Sequence, residues 1–247
     1  FGLVTNWGEA VLIGGLGNDW LEIGKTFGAG ESLLLGDNGV FPELTSVPED
    51  QLEGGHDVLV SSGNNADLDG EAGDDIIVLG PGIDQAEGMT GFDWITFKNE
   101  KDTSKGVMVL LNRTVFKRLA ITNFQFGADN DRYDRIEGVS GTNKDDYVET
   151  TKVGVDILDG TTDPNRLKAE NMALIMGLLE LIPTSIMQTD GSYVGSIILG
   201  AGGSDLTLIE ENSTHLIDGD KKLEVYLEYN GNRYETLVEL TEALIPN

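Results

Sequence analysis

A nine-residue repeat constrains this chain more than any other feature of its sequence. Between residues 70 and 96 an aspartate recurs every nine residues, at Asp75, Asp84 and Asp93. Each aspartate follows a glycine by two residues and precedes an apolar residue by two. This spacing follows the pattern G-G-x-G-x-D-x-U-x, in which U is apolar, and which is typical of calcium-binding parallel β-structures.

Further copies of the pattern lie on both sides of this run. Residues 14–22, GGLGNDWLE, match it fully, residues 52–60 and 200–208 keep its glycine and aspartate, and residues 61–69 carry Ala66 in the aspartate place. Asp102 continues the register beyond Asp93. The candidate metal-binding residues are therefore Gly15, Gly17, Asp19, Gly55, Asp57, Gly73, Asp75, Gly82, Asp84, Gly91, Asp93, Asp102, Gly203 and Asp205.

The nine-residue unit has a simple physical interpretation. Six residues form a turn and three form a short strand with its apolar side chain inward, so two units return the chain to the same side after 18 residues. We expect Asp57, Asp75 and Asp93 to line one edge, and Asp84 to lie on the other edge between the turns at Ala66 and Asp102. Stacked carboxylates repel one another, whereas Ca²⁺ binds six to eight oxygens, including backbone carbonyls. The repeat therefore predicts several bound calcium ions.

Composition excludes some partners and some kinds of site. The chain has 43 acidic and 16 basic residues and a net charge of −27, so it repels nucleic acid and anionic membranes. It contains no cysteine, which excludes disulfides and thiolate metal sites. The longest apolar stretch, residues 172–182, contains Glu180 and is too short to span a bilayer, so we expect no direct membrane insertion. Because the chain begins at Phe1, without a recognisable signal peptide, we expect it to be part of a longer polypeptide.

The repeat is interrupted in the middle of the chain. We expect an N-terminal repeat region over 1–104, an α/β insertion over 105–193, a return to the repeat over 194–220 and a capping tail over 221–247. A helix is predicted at about 164–182, between Pro164 and Pro183, with its apolar residues packed against the repeat. In the tail, Asn230-Gly231 predicts a hairpin and the Thr236–Glu239 spacing predicts a capped helix.

No motif for catalysis is found. The sequence lacks the nucleophile-elbow, zinc-protease and phosphate-loop patterns. His56 and His215 each occupy a variable place beside the aspartate position of a repeat, and both are interpreted as surface turn residues. We therefore expect no catalytic residues, no organic cofactor and no enzymatic activity.

The repeats resemble the RTX, or hemolysin-type, calcium-binding β-roll over about residues 8–104 and 195–220. The segments LGDNG, EGMTGFDWITF, DRYDRIEGVSGTNKDDYV and SIILGAGGSDL are similar to RTX regions of very large secreted bacterial proteins, some of them adhesins and others carrying an animal-type haem-peroxidase domain. The resemblance implies a mainly β fold, a parallel β-roll split by the α/β insertion. It also implies a secreted or cell-surface bacterial protein, exported by a type I system, whose partners are calcium and neighbouring domains of the same polypeptide.

Three functions of different classes follow. The first is a structural calcium-binding module that is largely unfolded without calcium and folds outside the cell. The second is a module of an adhesin that binds a surface or a glycan. The third is an accessory domain of a secreted peroxidase-like or hydrolytic enzyme, because no peroxidase catalytic core is recognisable in the chain itself.

Overall fold

A computed structural model describes residues 2–4, 9–24, 30–38, 54–63, 65–99, 105–111, 131–150, 166–209 and 214–245, with backbone alone for 2–4. The described residues are mainly β, with parallel sheets and two α-helices. Asp102 and Pro164 lie outside these ranges.

Three parallel sheets form the body of the described chain. Sheet 1 contains, in spatial order, β1 (Gly2–Val4), β3 (Trp20–Ile23), β5 (Val58–Ser61), β7 (Ile76–Val78), β9 (Trp94–Thr96), β12 (Gly138–Ser140), β14 (Ser196–Leu199) and β16 (His215–Asp218). Sheet 2 contains β11 (Arg132–Asp134), β8 (Gln85–Glu87), β6 (Ala66–Asp69), β4 (Ser32–Leu35) and β2 (Val11–Ile13). Sheet 3 contains β10 (Met108–Leu110), β13 (Tyr147–Glu149) and β15 (Leu206–Leu208).

Successive strands from β1 to β9 alternate between sheets 1 and 2. Val58 pairs with Ile76, and Ile76 with Trp94, so each step within sheet 1 is 18 residues. Asp67 pairs with Gln85 at the same step in sheet 2. The predicted return after two nine-residue units is therefore confirmed in this part of the chain.

The residues at the apolar position of each nine-residue unit form the core between sheets 1 and 2. Leu59, Ile77 and Ile95 of sheet 1 are buried in one cluster with Leu68 and Ala86 of sheet 2. Side chains alternate across a strand, so the neighbours of these residues in sheet 1 point to the opposite face. Sheet 1 is thus apolar on both faces and needs a second covering layer.

Residues 166–193 and the C-terminal tail provide that layer. Trp20 and Trp94, on the outer face of sheet 1, belong to a second buried cluster that includes Leu167, Met172 and Leu178. The tail adds further members, which are Leu223, Val225, Leu227, Leu237 and Leu240. The expectation that the segment after Pro164 packs against the repeat is confirmed.

Several strands of the predicted insertion belong to the same parallel sheets as the repeats. Strands β10 to β13 fall within 105–193, yet β12 lies between β9 and β14 in sheet 1, and β11 extends sheet 2 beside β8. The parallel sheets therefore continue through a region in which the nine-residue register is not visible. Directly before β12, Arg135 and Glu137 occupy the glycine and aspartate positions of the repeat, so the repeat is not recognisable there from the sequence.

The single helix predicted at about 164–182 is also not observed in the described part of that range. Residues 172–174 form a 3₁₀ turn and α1 (Leu178–Leu181) is one turn long. Between them Ile175 is extended and Gly177 has a φ of +84°. Ile175 ends the 3₁₀ turn and Gly177 directly precedes α1, so the two helices cannot join into one. The segment follows the outer face of sheet 1 as an irregular layer, which explains why its apolar residues occupied more than one helical face.

The tail forms as predicted. β17 (Leu227–Tyr229) and β18 (Asn232–Tyr234) are antiparallel, and both turn residues, Asn230 and Gly231, have positive φ. α2 (Leu237–Leu244) is capped by the Thr236 side chain, which accepts a hydrogen bond from the Glu239 N–H at 3.2 Å. The two α-helices of the described residues, four and eight residues long, are too short to cross a membrane.

Candidate metal centre

Five carboxylates form a ladder across sheet 1, at the amino-terminal ends of its strands. Each carboxylate residue directly precedes a strand. The Asp57 N–H donates to Asp75 Oδ1 at 2.7 Å, and the Asp75 N–H donates to Asp93 Oδ1 at 2.8 Å. At one end the Asp19 N–H donates to Asp57 Oδ1 at 2.7 Å, and at the other the Asp93 N–H donates to Glu137 Oε2 at 2.9 Å. We call these five residues the carboxylate ladder.

The repeat explains why the ladder forms. Parallel strands in register place the residue before each strand directly beside its equivalent one coil away, so a short carboxylate reaches the N–H of its neighbour. Asp57, Asp75 and Asp93 line one edge as the sequence predicts, and Asp19 joins them although it is 38 residues from Asp57. One oxygen of each central aspartate is thereby used in a structural hydrogen bond.

The second oxygen of each central aspartate has no hydrogen-bond partner among the residues that the structure describes. Asp57, Asp75 and Asp93 are at most 1% exposed, and the Oδ2 atom of each is buried and unpaired. Burying an unpaired carboxylate oxygen is costly, and such groups are rare in folded proteins. Each of these atoms therefore requires either a proton or a bound cation.

The electrostatics of the ladder favour the same conclusion. Burial, together with repulsion from Asp37 and Asp19, raises the pKa of Asp57 to about 7, although the hydrogen bond from the Asp19 N–H acts in the opposite direction. Burial also raises the pKa of Asp75 and of Asp93 well above the usual range, and neighbouring carboxylates add to the rise. The fold thus brings together negative charges that oppose its own formation at neutral pH.

Glycine backbone leaves space for oxygen atoms beside the unpaired carboxylates. A Cβ built on Gly36 would lie 2.4 Å from Asp57 Oδ2 and 2.4 Å from the Gly70 carbonyl oxygen. A Cβ on Gly88 would lie 2.4 Å from Asp93 Oδ2 and 2.3 Å from the Arg135 carbonyl oxygen. A buried carboxylate oxygen and a main-chain oxygen therefore approach each other around a space that any side chain would fill.

This donor set fits a hard cation. All the atoms concerned are oxygens, which suits Ca²⁺, and the unpaired Oδ2 atoms need positive charge. Among the described residues no group of three or more acidic, histidine or cysteine side chains converges on one point. A cation here would accordingly be held by neighbouring ladder carboxylates together with main-chain carbonyls.

The glycines of the predicted site shape these turns. A Cβ on Gly73 would lie 1.6 Å from the Gly55 carbonyl oxygen, and one on Gly91 would lie 1.5 Å from that of Gly73. Both Gly73 and Gly91 also have φ above +130°, a conformation that side chains disfavour. The other predicted glycines with positive φ are Gly15, Gly17, Gly82 and Gly203.

Asp84 lies at the opposite edge, before β8, and is fully buried. Its Oδ1 accepts from the Ala66 N–H at 2.9 Å, as the register predicts, and its Oδ2 accepts from the Gly80 N–H at 3.2 Å. On its other side the Asp84 N–H donates to Asp131 Oδ1 at 2.9 Å. The neighbour in the described structure is therefore Asp131, whereas the Asp102 predicted for this place lies outside the described residues.

Asp205 belongs to a separate pair beside sheet 3. The Asp146 N–H donates to Asp205 Oδ1 at 3.0 Å, and the Val107 N–H donates to Asp146 Oδ1 at 2.8 Å. Burial raises the pKa of both Asp146 and Asp205. The structure thus places Asp205 with Asp146 and not in the ladder of sheet 1.

Several acidic residues of these edges were missed from the sequence. Asp146 was detectable, because GTNKDDYVE keeps the first glycine, the aspartate and the apolar place of the repeat. Glu137 was not, since it replaces aspartate and Arg135 occupies the glycine place. Asp37 accepts a hydrogen bond from the Gly55 N–H at 3.0 Å. It does not occupy the aspartate position of any repeat identified in the sequence, so its role could not be predicted.

His56 has a structural part in the turns. It is half-buried, and its Nδ1 accepts a hydrogen bond from the Asp74 N–H at 2.8 Å. Asp74 Oδ1 in turn accepts from the Phe92 N–H at 2.9 Å. The residues at the variable position before each aspartate therefore form a second row of hydrogen bonds between neighbouring coils.

Comparisons with protein-family models, with curated proteins and with solved structures each find no match to this chain. Its function is therefore inferred from its own residues and their geometry.

Proposed function

We propose that this chain is a calcium-binding structural module, a parallel β-roll of the RTX type, within a large secreted bacterial protein. The observation that carries the proposal is the row of buried, unpaired Oδ2 atoms on Asp57, Asp75 and Asp93. A bound cation would satisfy these atoms and offset the repulsion between their carboxylates.

Calcium suits this arrangement better than other common metals. The ladder offers oxygen only, whereas zinc prefers nitrogen and sulfur ligands as well. Magnesium requires a near-ideal octahedron and keeps several waters, while calcium accepts irregular sets of carboxylate and carbonyl oxygens. Turns built from glycine carbonyls and single aspartates form an irregular set of this kind.

Calcium binding would also link folding to location. Extracellular modules bind calcium at about 10⁻⁴–10⁻³ M, far above the calcium level inside a cell. Because the ladder does not exist in the unfolded chain, binding energy becomes folding energy. The chain would remain extended during export and would fold outside the cell, as the RTX resemblance implies.

The other functions suggested by the sequence are additions to this module. A surface- or glycan-binding module of an adhesin would use a folded β-roll as its scaffold. An accessory domain of a secreted enzyme would do the same. Both depend on the rest of the polypeptide, and the ladder is required in either case.

Isothermal titration calorimetry tests the proposal. Ca²⁺ added to the chelator-treated chain at pH 7.5 should bind at more than one site, and Mg²⁺ at equal ionic strength should produce a much weaker response. If the chain takes up no calcium at millimolar concentration, or binds magnesium equally well, the ladder is not a calcium site.

A further inference from the structure

A depression of about 520 Å³ lies at the carboxyl ends of β9 and β12, beside the tail. Five of the 16 basic residues of the chain line it, although the chain carries a net charge of −27. They are Lys98, Lys105, Lys144, Lys222 and Arg233. Two acidic residues, Glu224 and Glu235, share the lining. We call this depression the basic pocket.

Two of the five cations are already engaged. The Lys98 ammonium donates to the Val225 carbonyl oxygen and forms an ion pair with Glu235 at 2.7 Å. The Arg233 guanidinium lies 3.6 Å from Glu224, and both side chains are about half exposed. These contacts account for both acidic residues of the pocket.

The other three cations, on Lys105, Lys144 and Lys222, are exposed and have no carboxylate partner within the described part of the chain. The protein has almost three acidic residues for every basic one, so most lysine and arginine side chains would be expected to lie beside a carboxylate. Three unpaired lysines in one concave site instead create a local positive potential. Clefts lined by one sign of charge attract ligands of the opposite sign.

The lining also contains groups that would orient an anion. The Arg233 guanidinium stacks on the Tyr226 ring at 4.2 Å from its centroid, which restrains its planar donors. Ser140 also lines the pocket, where its buried Oγ accepts from the Leu223 N–H at 2.9 Å and fixes the tail beside β12. Several charged donors around one small space are suited to an oxyanion.

We propose that the basic pocket binds an oxyanion-bearing small ligand, of the size of an acidic sugar unit. The shared chemistry is a carboxylate or a sulfate held by the unpaired ammonium groups of Lys144 and Lys222, together with those guanidinium donors of Arg233 that do not face Glu224. The volume lies within the range of ordinary small-ligand sites. This site is distinct from the carboxylate ladder, and its ligand is of the opposite charge to calcium.

Titration of the calcium-saturated chain with glucuronate, with sodium sulfate and with glucose, at constant ionic strength, tests the proposal. Glucuronate or sulfate should bind saturably with a 1:1 stoichiometry, and uncharged glucose should not bind. The glucuronate and sulfate arms distinguish a carboxylate ligand from a sulfate ester, and binding of either supports the site.

Three variants locate the binding. Lys144→Gln and Lys222→Gln should each weaken binding about tenfold, the usual effect of losing one charge-assisted hydrogen bond. Lys168→Gln removes the same charge from an exposed position that does not line the pocket and should leave binding unchanged. The lysines are exposed, so all three variants should keep the calcium-dependent circular dichroism spectrum of the parent chain.

Two outcomes would overturn the proposal. In one, neither anion binds saturably, or glucose binds as well as glucuronate. In the other, Lys168→Gln weakens binding as much as the pocket variants, which would show only a general response to net charge.

Discussion

At the residue scale, each central aspartate of the ladder has two oxygens with different roles. Oδ1 accepts a hydrogen bond from the N–H of the neighbouring coil and fixes the turn, whereas Oδ2 is buried and has no partner in the described part of the chain. A neutral side chain of the same shape can replace the first role but not the second. This difference allows the structural and the cation-binding contributions to be separated by mutation.

Asp75→Asn should raise the calcium concentration at the folding midpoint about tenfold, equivalent to about 1.4 kcal/mol. The amide keeps an acceptor for the Asp57 N–H but loses the negative charge beside the cation. The measurement is the ellipticity of the chain during a calcium titration at pH 7.5.

Asp145→Asn is the matched control for that experiment. Asp145 also accepts one backbone N–H, from Ser204 at 2.8 Å, yet it is exposed. We expect less than about a twofold change, since exposed charges contribute little. Equal shifts for the two variants would contradict the assignment of Asp75 as a ligand.

Without calcium, the ladder predicts that acid stabilises the fold. Asp57 has a pKa of about 7 in the folded chain and 3.8 as an unperturbed group, so between these values the folded chain holds a proton that the unfolded chain has lost. Stability from this group is present below about pH 4 and is lost as pH rises through 7. Asp37, with a pKa of about 6, acts in the same direction.

The measurement is the circular dichroism signal in EDTA as pH is lowered from 7.5 to 5.5. We expect the strand signal to increase, because protons would neutralise the buried carboxylates in place of the proposed cations. A strand signal that falls over this range would show that the buried carboxylates do not limit folding.

At the element scale, the irregular layer over residues 166–193 is as important as the strands. It covers the outer face of sheet 1, where Trp20 and Trp94 would otherwise face solvent. Within it Leu178 is 2% exposed and the next residue, Leu179, is 48% exposed. The two leucines are therefore a matched pair for testing the packing.

Leu178→Ala should destabilise the calcium-bound chain by about 2–4 kcal/mol, which is the usual cost of a cavity at a buried leucine. Leu179→Ala should change stability by less than about 0.5 kcal/mol, as expected for a surface position. Thermal melts in excess calcium compare the two. Similar losses for both variants would mean that the layer does not pack through Leu178.

Strict spacing decided which elements were predictable from the sequence. Asp57, Asp75 and Asp93 follow each other at 18 residues, so their stacking could be read directly from the register. Glu137 lies 44 residues after Asp93 and carries a different side chain, so nothing in the spacing reveals that it continues the ladder. The helix was mispredicted because apolar content and flanking prolines suit a helix, while Gly177 and an extended Ile175 prevent it.

At the scale of the whole molecule, two opposing quantities determine stability. Sheet 1 contributes to apolar clusters on both of its faces, which favours folding. A net charge of −27 and a line of buried carboxylates oppose it, as does the entropy of ordering many glycine-rich turns. Under the proposal, bound calcium would reduce the unfavourable contribution, since it would neutralise the ladder and pair its unsatisfied oxygens.

The central claim is that calcium controls folding of the module. The most direct test is circular dichroism of the whole chain at pH 7.5, first in EDTA and then in excess calcium. We expect little strand signal and no cooperative melt in EDTA, and both should appear when millimolar calcium is added. A strand signal and a melting temperature that are unchanged by chelation would contradict the account, and the repeat would then be a scaffold that keeps its shape without ions.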